Sequence, residues 1–334
     1  MDSPNKHWQS RARRHCSVDL CGLAVNIRFL LAPNAWLAAG PINRYDSIIT
    51  RQQFRSFGVV GYGHFGQFMA RSFSRHGQVF VTDIDPAKLP KRANGIRARS
   101  LDEVASCDAV IVAVPFVALE DALKGIRDLL PSSSVVMDVV STKARSTALL
   151  KDILEGHPNL LATHPLFGPP SMKRMQADQR LVVTHSRGEK AAAFTRFLKR
   201  TFKLRVLELS SEEHDRVMAY MQALPFFIAR ALMDLDILDL PHKDVLSLPS
   251  FERLASIAAI EQHHSEDMFD TSQRSNPFAS SARAQFIDVL VKIDAELGSG
   301  QFSDQIQVRA DPDALTADQP FPELLADPRL NSSR

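Results

Sequence analysis

The first candidate for chemistry in this chain is a histidine between an apolar run and a proline-rich loop. His164 stands in the segment THPLFGP (163–169), directly after a predicted strand. An imidazole with a pKa near ~6.5 accepts or donates a proton near neutral pH, which suits a general base. The alternative is a histidine that only hydrogen-bonds a loop carbonyl. We prefer the catalytic role because the residue follows a strand whose end faces the expected cofactor.

A serine and a lysine follow the preceding predicted strand, in the segment DVVSTK (138–143). We predict that the Ser141 hydroxyl hydrogen-bonds the substrate oxygen that His164 deprotonates. The same hydroxyl could instead cap the helix that follows, and one serine could do both. Lys143 is predicted either to neutralise a substrate carboxylate or phosphate, or to lie solvated at the start of that helix.

A third group of candidates lies on a predicted helix that begins near residue 210. His214 either reaches the cleft or locks two domains together. Gln222 lies eight positions farther on, close to two turns of an α-helix, so both side chains are predicted to share roughly one face and to contact substrate. His263 and His264 occur farther along among acidic residues; a metal site is the alternative there, and we expect a solvated face and no metal.

The element that must hold a cofactor against these residues is the segment FGVVGYGHFG (57–66). An apolar run ends in G-x-G-x-x-G and a helical pattern follows, which is the order of strand, tight turn and helix N-terminus in dinucleotide-binding proteins. The first glycine permits the turn, the second lets a pyrophosphate approach the backbone, and the third lets the helix pack close to the strand. The predicted cofactor-binding residues of this loop are Gly61, Tyr62, Gly63, His64, Phe65 and Gly66.

The choice of cofactor depends on an acid after the second predicted strand. Asp83 lies 17 residues beyond Gly66, close to the usual distance for the carboxylate that binds the ribose 2′-OH. Because such a carboxylate repels a 2′-phosphate, we predict NAD. NADP is the alternative, since Lys88, Lys91 and Arg92 follow and could meet a phosphate.

Short apolar runs alternate with amphipathic stretches between residues 56 and 186. This alternation predicts an α/β fold of the Rossmann type, with a mainly parallel sheet followed by an all-helical C-terminal domain. Ligands of such sheets lie at the carboxyl ends of the strands, so Val114 and Pro115 are predicted to join the cofactor site. The predicted strands are 57–61, 79–83, 109–114, 135–139, 160–163, 181–184 and 206–209.

Length, charge and cysteine content exclude several classes of protein. The chain has 334 residues, an apolar fraction of 45% and a formal net charge of +2. It is long enough for two domains and lacks the basicity of nucleic-acid binders. The three cysteines form no metal-binding or disulfide framework. We therefore predict a cytoplasmic protein with a small-molecule substrate, no nucleic-acid partner and no membrane partner.

Four segments are predicted along the chain. Residues 1–54 form a leader or disordered extension, because basic residues precede an interrupted apolar stretch; an organellar leader is one alternative. Residues 55–209 form a dinucleotide-binding domain, residues 210–299 a helical substrate and dimerisation domain, and residues 300–334 a disordered tail. The apolar helical faces exceed the need of one subunit, which predicts a homodimer through the helical domain.

Four motifs in matching order resemble the prephenate and arogenate dehydrogenase family of tyrosine biosynthesis. They are GYGHFGQF, DVVSTK, THPLFGP and EEHDRVMAYMQAL, and the resemblance covers roughly residues 56–297. The resemblance implies oxidative decarboxylation of prephenate to 4-hydroxyphenylpyruvate, or of arogenate to tyrosine. It also implies that the nicotinamide takes hydride from C4, that His164 polarises the hydroxyl or accepts its proton with help from Ser141, and that loss of CO2 makes the ring aromatic.

The chain departs from the family pattern at two places. Many members carry a second histidine just after the QAL segment, where this chain has Phe226. The arginine that binds the substrate carboxylate in bacterial members has no evident counterpart, because Glu261 falls near its expected position. Arg174, Arg180 and Arg253 are the candidates for that role.

Two other functions compete with this interpretation. A dehydrogenase of the 3-hydroxy-acid type usually relies on a catalytic lysine in the helical domain, and the helix that carries His214 has no well-placed lysine. A non-catalytic dinucleotide-binding sensor on the same fold is the second alternative, and Phe226 is the residue that favours it.

Overall fold

The computed structural model describes residues 54–91, 95–169, 174–240, 242–261 and 266–298. These residues belong to one compact unit that begins at Gln53. Its centre is an eight-stranded sheet in the order β3-β2-β1-β4-β5-β6-β7-β8. The strands are β1 Ser56–Val60, β2 Gln78–Thr82, β3 Ile96–Ala98, β4 Ala109–Val112, β5 Val135–Asp138, β6 Leu160–Pro165, β7 Arg180–Arg187 and β8 Arg205–Glu208.

Neighbouring strands are parallel except at one pair, β6 and β7, which run antiparallel. A parallel pair needs a crossover, usually a helix. Among the described residues between the end of β6 at Pro165 and the start of β7 at Arg180 there is no helix, and β7 pairs with β6 in the antiparallel direction. The strand β3 was not predicted, because a run of three residues is too short to give an alternating pattern. The predicted fold class, a mainly parallel Rossmann-type sheet with helices after it, is confirmed.

Apolar side chains cover both faces of the sheet, as expected for central parallel strands. In β1, Phe57 and Val59 join one cluster and Val60 joins the other. The first cluster contains a group of phenylalanines around helix α1, with the Phe57 and Phe73 ring centroids 4.6 Å apart. The helices that flank the sheet are α1 His64–Phe73, α2 Leu101–Ala105, α3 Phe116–Arg127, α4 Lys143–Ile153 and α5 Glu189–Thr201.

The chain after β8 is helical, as predicted, but it is not a set of regular α-helices. The α-helices are α6 Ser211–Met218, α7 Leu224–Asp234, α8 Lys243–Leu246, α9 Pro249–Glu261, α10 Glu266–Asp270 and α11 Ala279–Gly298. A π-helix, Ala219–Ala223, joins α6 to α7, and a second π-helix, Thr271–Ser275, follows α10. Among the described residues, no helix is long and apolar enough to cross a membrane.

The predicted boundary between the two domains lies close to the end of the sheet. The change from sheet to helix falls between Glu208 and Ser211, near the predicted boundary at 209/210. That boundary stays a prediction. The predicted leader, apart from Phe54, and the predicted tail lie outside the described residues.

Candidate active site

The predicted site residues of the sheet meet at one edge. Strands β1, β4, β5 and β6 are mutually parallel neighbours, so their carboxyl ends lie side by side. The glycine turn follows β1, and Val114, Ser141 and His164 lie at the ends of β4, β5 and β6. The loop after β6 also packs on helix α1, since the Phe68 and Phe167 ring centroids are 6.0 Å apart. His164 therefore lies at the same edge of the sheet as the glycine turn.

The glycine turn has room for a phosphate at Gly63, whereas protein atoms occupy the space beside Gly61 and Gly66. Gly61 has φ +93°, a conformation that side chains disfavour, and a Cβ at Gly66 would lie 1.9 Å from the Gly61 carbonyl oxygen. A Cβ at Gly63, by contrast, would meet no atom within 4 Å. Gly63 is the N-cap of α1, and no described side chain caps this helix. The open space and the helix N-terminus together fit a dinucleotide pyrophosphate.

The acid after β2 is held beside this turn. Asp83 accepts the Tyr62 backbone N–H at 2.6 Å through Oδ2 and the Asp85 N–H at 2.9 Å through Oδ1. The Lys88 Nζ lies 3.9 Å from Asp83 Oδ1. Each carboxylate oxygen keeps a further lone pair for a ribose hydroxyl.

The other predicted cofactor residues lie around the same turn. A Cβ at Gly61 would meet Val114 Cγ1 at 2.8 Å, so Val114 packs on the turn. Pro115 is the exposed N-cap of α3, and His64 begins α1 as an exposed residue. Phe65 is half-buried against the loop after β6, with its Cε2 atom 3.1 Å from the position of a Cβ at Gly168.

Three side chains form a hydrogen-bonded chain between the sheet and helix α6. His164 Nδ1 lies 2.9 Å from His214 Nε2, and His214 Nδ1 lies 2.8 Å from Asp215 Oδ1. His214 and Asp215 are fully buried, and His164 is 6% exposed. His214 thus both contacts the predicted base and joins the helical region to the sheet. We refer to Asp215, His214 and His164 as the relay.

The hydrogen bonds of the relay assign its protons. An ionised carboxylate accepts only, so His214 Nδ1 carries a hydrogen and donates it to Asp215. The Nε2 atom of a neutral His214 then accepts, which puts the hydrogen of His164 on Nδ1. The remaining nitrogen, His164 Nε2, has a lone pair and is the atom that can accept a substrate proton.

The surroundings of His164 keep it neutral. Burial, followed by the neighbouring His214 and the Lys143 ammonium, holds the pKa of His164 well below its usual value of 6.5. At neutral pH the imidazole is therefore unprotonated and able to act as a base.

The Asp215 carboxylate also caps helix α4, a role that sequence analysis missed. It accepts the backbone N–H groups of Lys143 at 2.7 Å and Ala144 at 2.8 Å. The predicted alternative for Ser141, a helix cap, is wrong. The N-cap residue of α4 is Thr142, and neither the Ser141 hydroxyl nor the Thr142 hydroxyl caps the helix. One signal was available: the first turn of α4 contains no acidic residue, so its N–H groups need an acceptor from elsewhere.

The geometry around Lys143 disagrees with both predicted roles. The side chain is fully buried rather than solvated, and Nζ donates to Asp138 Oδ1 at 2.6 Å, to Thr163 O at 2.8 Å and to Val140 O at 3.2 Å. An ammonium has three donors, so none is left for a substrate anion. Burial lowers the pKa of Lys143 and Asp138 opposes that shift. Lys143 instead anchors the carbonyl immediately before His164.

The remaining residues singled out from the sequence do not belong to the relay. Gln222 is half-buried inside the first π-helix. The prediction that Gln222 and His214 share one face assumed a regular α-helix, so it does not apply to this segment. Phe226 is buried in α7. The candidate arginines Arg174, Arg180 and Arg253 are all exposed. The histidine pair at 263–264 lies outside the described residues.

Comparisons with known proteins agree with the motifs. Residues 69–202 match the family described as "Prephenate dehydrogenase, nucleotide-binding domain". The chain is 29% identical over 187 residues to arogenate dehydrogenase 2, chloroplastic, of Arabidopsis thaliana, covering 52% of each protein. It is 25% identical over 241 residues to a probable arogenate/prephenate dehydrogenase of Methanocaldococcus jannaschii, covering 69% of this chain and 54% of that protein. The chain thus spans about half the length of these curated relatives.

Solved structures share the fold. A prephenate dehydrogenase from A. aeolicus, in complex with hydroxyphenyl propionate and NAD+, superposes with a TM-score of 0.59 at 21% identity, covering 73% of this chain and 91% of that one. Synechocystis arogenate dehydrogenase superposes with a TM-score of 0.53 at 16% identity, covering 73% and 93%. With the sequence matches, these findings confirm the resemblance to the prephenate and arogenate dehydrogenase family.

Proposed function

We propose that this chain, whose residues 69–202 match the nucleotide-binding domain of prephenate dehydrogenases, catalyses the NAD-dependent oxidative decarboxylation of prephenate or arogenate. The observation that carries the proposal is the relay, in which a neutral histidine at the carboxyl edge of a Rossmann-type sheet is backed by a second histidine and a carboxylate. It supplies a proton acceptor at the edge where the glycine turn fits a dinucleotide.

In the proposed reaction, residues of this chain accept the proton of the substrate hydroxyl group. When NAD is bound, it supplies the acceptor for the hydride that leaves substrate C4. His164 Nε2 accepts the hydroxyl proton, and the positive charge that develops is stabilised through His214 by the Asp215 carboxylate. Ser141, half-buried in the bend after β5, is proposed to hydrogen-bond the same hydroxyl. Gln222 is proposed to line the substrate cleft. The predicted substrate contact of His214 is wrong, because this side chain is fully buried and its two ring nitrogens bond His164 and Asp215.

A turnover assay tests this function directly. Purified protein with NAD and either prephenate or arogenate should produce NADH, measured by its absorbance, with release of CO2. Rates with both substrates identify the preferred one. Absence of turnover with either substrate, in protein that binds NAD, would contradict the proposal and favour a dinucleotide sensor.

We expect Asp83→Asn to weaken the preference for NAD. The amide removes the negative charge that repels a 2′-phosphate, so the ratio of kcat/KM for NAD to that for NADP should fall about tenfold or more. The matched control is Asp85→Asn, since Asp85 is exposed and caps the short helix Pro86–Lys88. An equal change in both variants would show that Asp83 does not select the cofactor.

We also propose a homodimer through helix α11. This helix buries Ala279 and Ala282 and exposes a set of apolar side chains; a polar stripe of Gln285, Asp288, Lys292 and Glu296 runs along one side, and the exposed Asp294 lies among the apolar residues. An exposed apolar surface of this kind is typical of an interface. The exposed apolar residues are Ile287, Val289, Leu290, Val291, Ile293 and Leu297.

A charge on the apolar side of α11 should dissociate that dimer. Val291→Asp would bury an unpaired carboxylate in each subunit and raise the dimer dissociation constant by roughly a hundredfold or more. Lys292→Asp, in the polar stripe, is the control and should leave the molecular mass measured in solution at that of the dimer. Sedimentation at micromolar concentration measures both variants, and a monomeric unmodified protein would contradict the proposed dimer.

The cellular location proposed from the cysteine content is the cytoplasm. A chloroplastic enzyme among the relatives keeps an organellar location as the alternative.

A further inference from the structure

An asparagine from the last helical segment contacts the backbone of the relay. Asn276 ends the second π-helix and is 4% exposed. Its Nδ2 atom donates to the Asp215 carbonyl oxygen at 2.8 Å, across 61 residues of chain. Its Oδ1 atom accepts the Phe278 N–H at 2.9 Å, so the amide is held from both ends.

The acceptor is the carbonyl of the residue whose carboxylate anchors the relay. Asp215 O already accepts the Ala219 N–H, the bond at which α6 passes into the first π-helix. The asparagine amide therefore uses the second lone pair of that oxygen. Rotation of the Asp215 peptide would move the carboxylate away from His214 and from the N-terminus of α4, because both contacts depend on one side-chain position.

A second amide in the same segment makes a parallel contact that does not reach the relay. Gln273 Nε2 donates to the Ala223 carbonyl at 2.7 Å, and its Oε1 accepts from Arg283 Nη1 at 2.7 Å. Ala223 is the last residue of the first π-helix. Gln273 thus bonds the carbonyl of the last residue of that π-helix, whereas Asn276 bonds the carbonyl of Asp215, which precedes it. Of these two amides, only that of Asn276 bonds Asp215.

We propose that Asn276 is a positioning residue for catalysis. It holds the Asp215 peptide so that the Asp215 carboxylate keeps its hydrogen bond to His214, and His214 in turn keeps His164 in the position that catalysis needs. This inference rests on the proposed function of the relay as the proton acceptor. Small displacements of catalytic groups cost about 10²-fold in rate, so a hydrogen bond two residues removed from the base can carry a large kinetic effect.

The test uses two isosteric substitutions. Asn276→Asp retains the acceptor for Phe278 N–H and loses the donor to Asp215 O, whereas Gln273→Glu makes the same change of chemistry at the neighbouring amide. We expect Asn276→Asp to lower kcat roughly 10- to 100-fold with the KM for NAD unchanged, and Gln273→Glu to keep kcat within about threefold. Thermal unfolding of both variants shows whether they are folded.

A spectroscopic measurement separates this inference from the proposed function. The hydrogen-bonded Nδ1 proton of His214 should give a downfield proton resonance, identified by its absence in His214→Gln. Asn276→Asp should shift or abolish that resonance, and Gln273→Glu should retain it. If the unmodified protein turns over neither substrate, the proposed function fails, while the resonance still tests the position of His214.

Three results would overturn the inference. The first is a folded Asn276→Asp variant with normal kcat and an unchanged resonance. The second is an equal loss of kcat in Gln273→Glu. The third is loss of folding in both Asn276→Asp and the smaller Asn276→Ser, which would assign the residue to stability alone.

Discussion

Replacing His164 with asparagine is expected to lower kcat about 10²- to 10⁴-fold, the range that a positioned general base contributes. The asparagine amide can still donate to His214 Nε2, so the substitution removes the proton acceptor without opening a large cavity. The proposed NAD site is the glycine turn, which follows a different strand, so the affinity for NAD should be unchanged. Steady-state NADH formation and NAD titration by fluorescence measure the two quantities.

The matched control is a histidine at the opposite edge of the sheet. His157 Nε2 lies 3.1 Å from the Ser134 carbonyl oxygen, immediately before the start of β5. His157→Asn should retain kcat within about twofold, since it removes no group near the carboxyl ends of the strands. Unchanged turnover in His164→Asn would remove this residue from the mechanism.

The pH dependence of the unmodified protein should report the same imidazole. Burial, followed by the neighbouring His214 and Lys143, lowers the pKa of His164, so the unprotonated base is the dominant form at pH 7. The value of kcat should be constant across neutral pH and fall only as the pH drops below 6.5 and through the lowered pKa, because the protonated ring cannot accept a proton. In His164→Asn this acid limb should be absent.

Replacing Asp215 with asparagine is expected to lower kcat about 10²- to 10⁴-fold and to destabilise the fold. The carboxylate accepts from His214 Nδ1 and from the backbone N–H groups of Lys143 and Ala144. An amide has one oxygen, so at least one of these donors would face an NH2 group. Where the NH2 group faces His214, the histidine tautomer reverses and puts a hydrogen on the base; in Ser-His-Asp triads that reversal costs about 10⁴-fold.

The loss of stability should be about 1–3 kcal/mol, the cost of leaving a buried donor unsatisfied, measured by denaturant unfolding. Glu212→Gln is the control, because Glu212 lies on the same helix and pairs only with Arg216 among the described residues. That exposed pair contributes little, so both kcat and the unfolding free energy should stay close to those of the unmodified protein. A normal kcat in a folded Asp215→Asn variant would contradict the proton assignment of the relay.

Local patterns in the chain were sufficient for the dinucleotide-binding half of the fold and for the edge at which the site lies. The order of strand, glycine turn and helix is encoded within the ten residues of 57–66, and strand ends are read from short apolar runs. Because parallel strands bring their carboxyl ends to one edge, Ser141 and His164 could be assigned to the cofactor edge from the sequence alone. The position of Asp83 beside the turn followed from spacing alone.

The connections among the catalytic candidates required the tertiary structure. His164 meets His214 across 50 residues, and Asp215 meets the start of α4 across 72 and 71 residues. These contacts depend on how α6 docks against the sheet, which periodicity does not encode. The burial of Lys143 could not be predicted for the same reason, since its three acceptors come from two strand ends that only packing brings together. The contact of Asn276 with Asp215 likewise depends on the widened π-helix turns, whose sequences carry no local signal distinct from that of an α-helix.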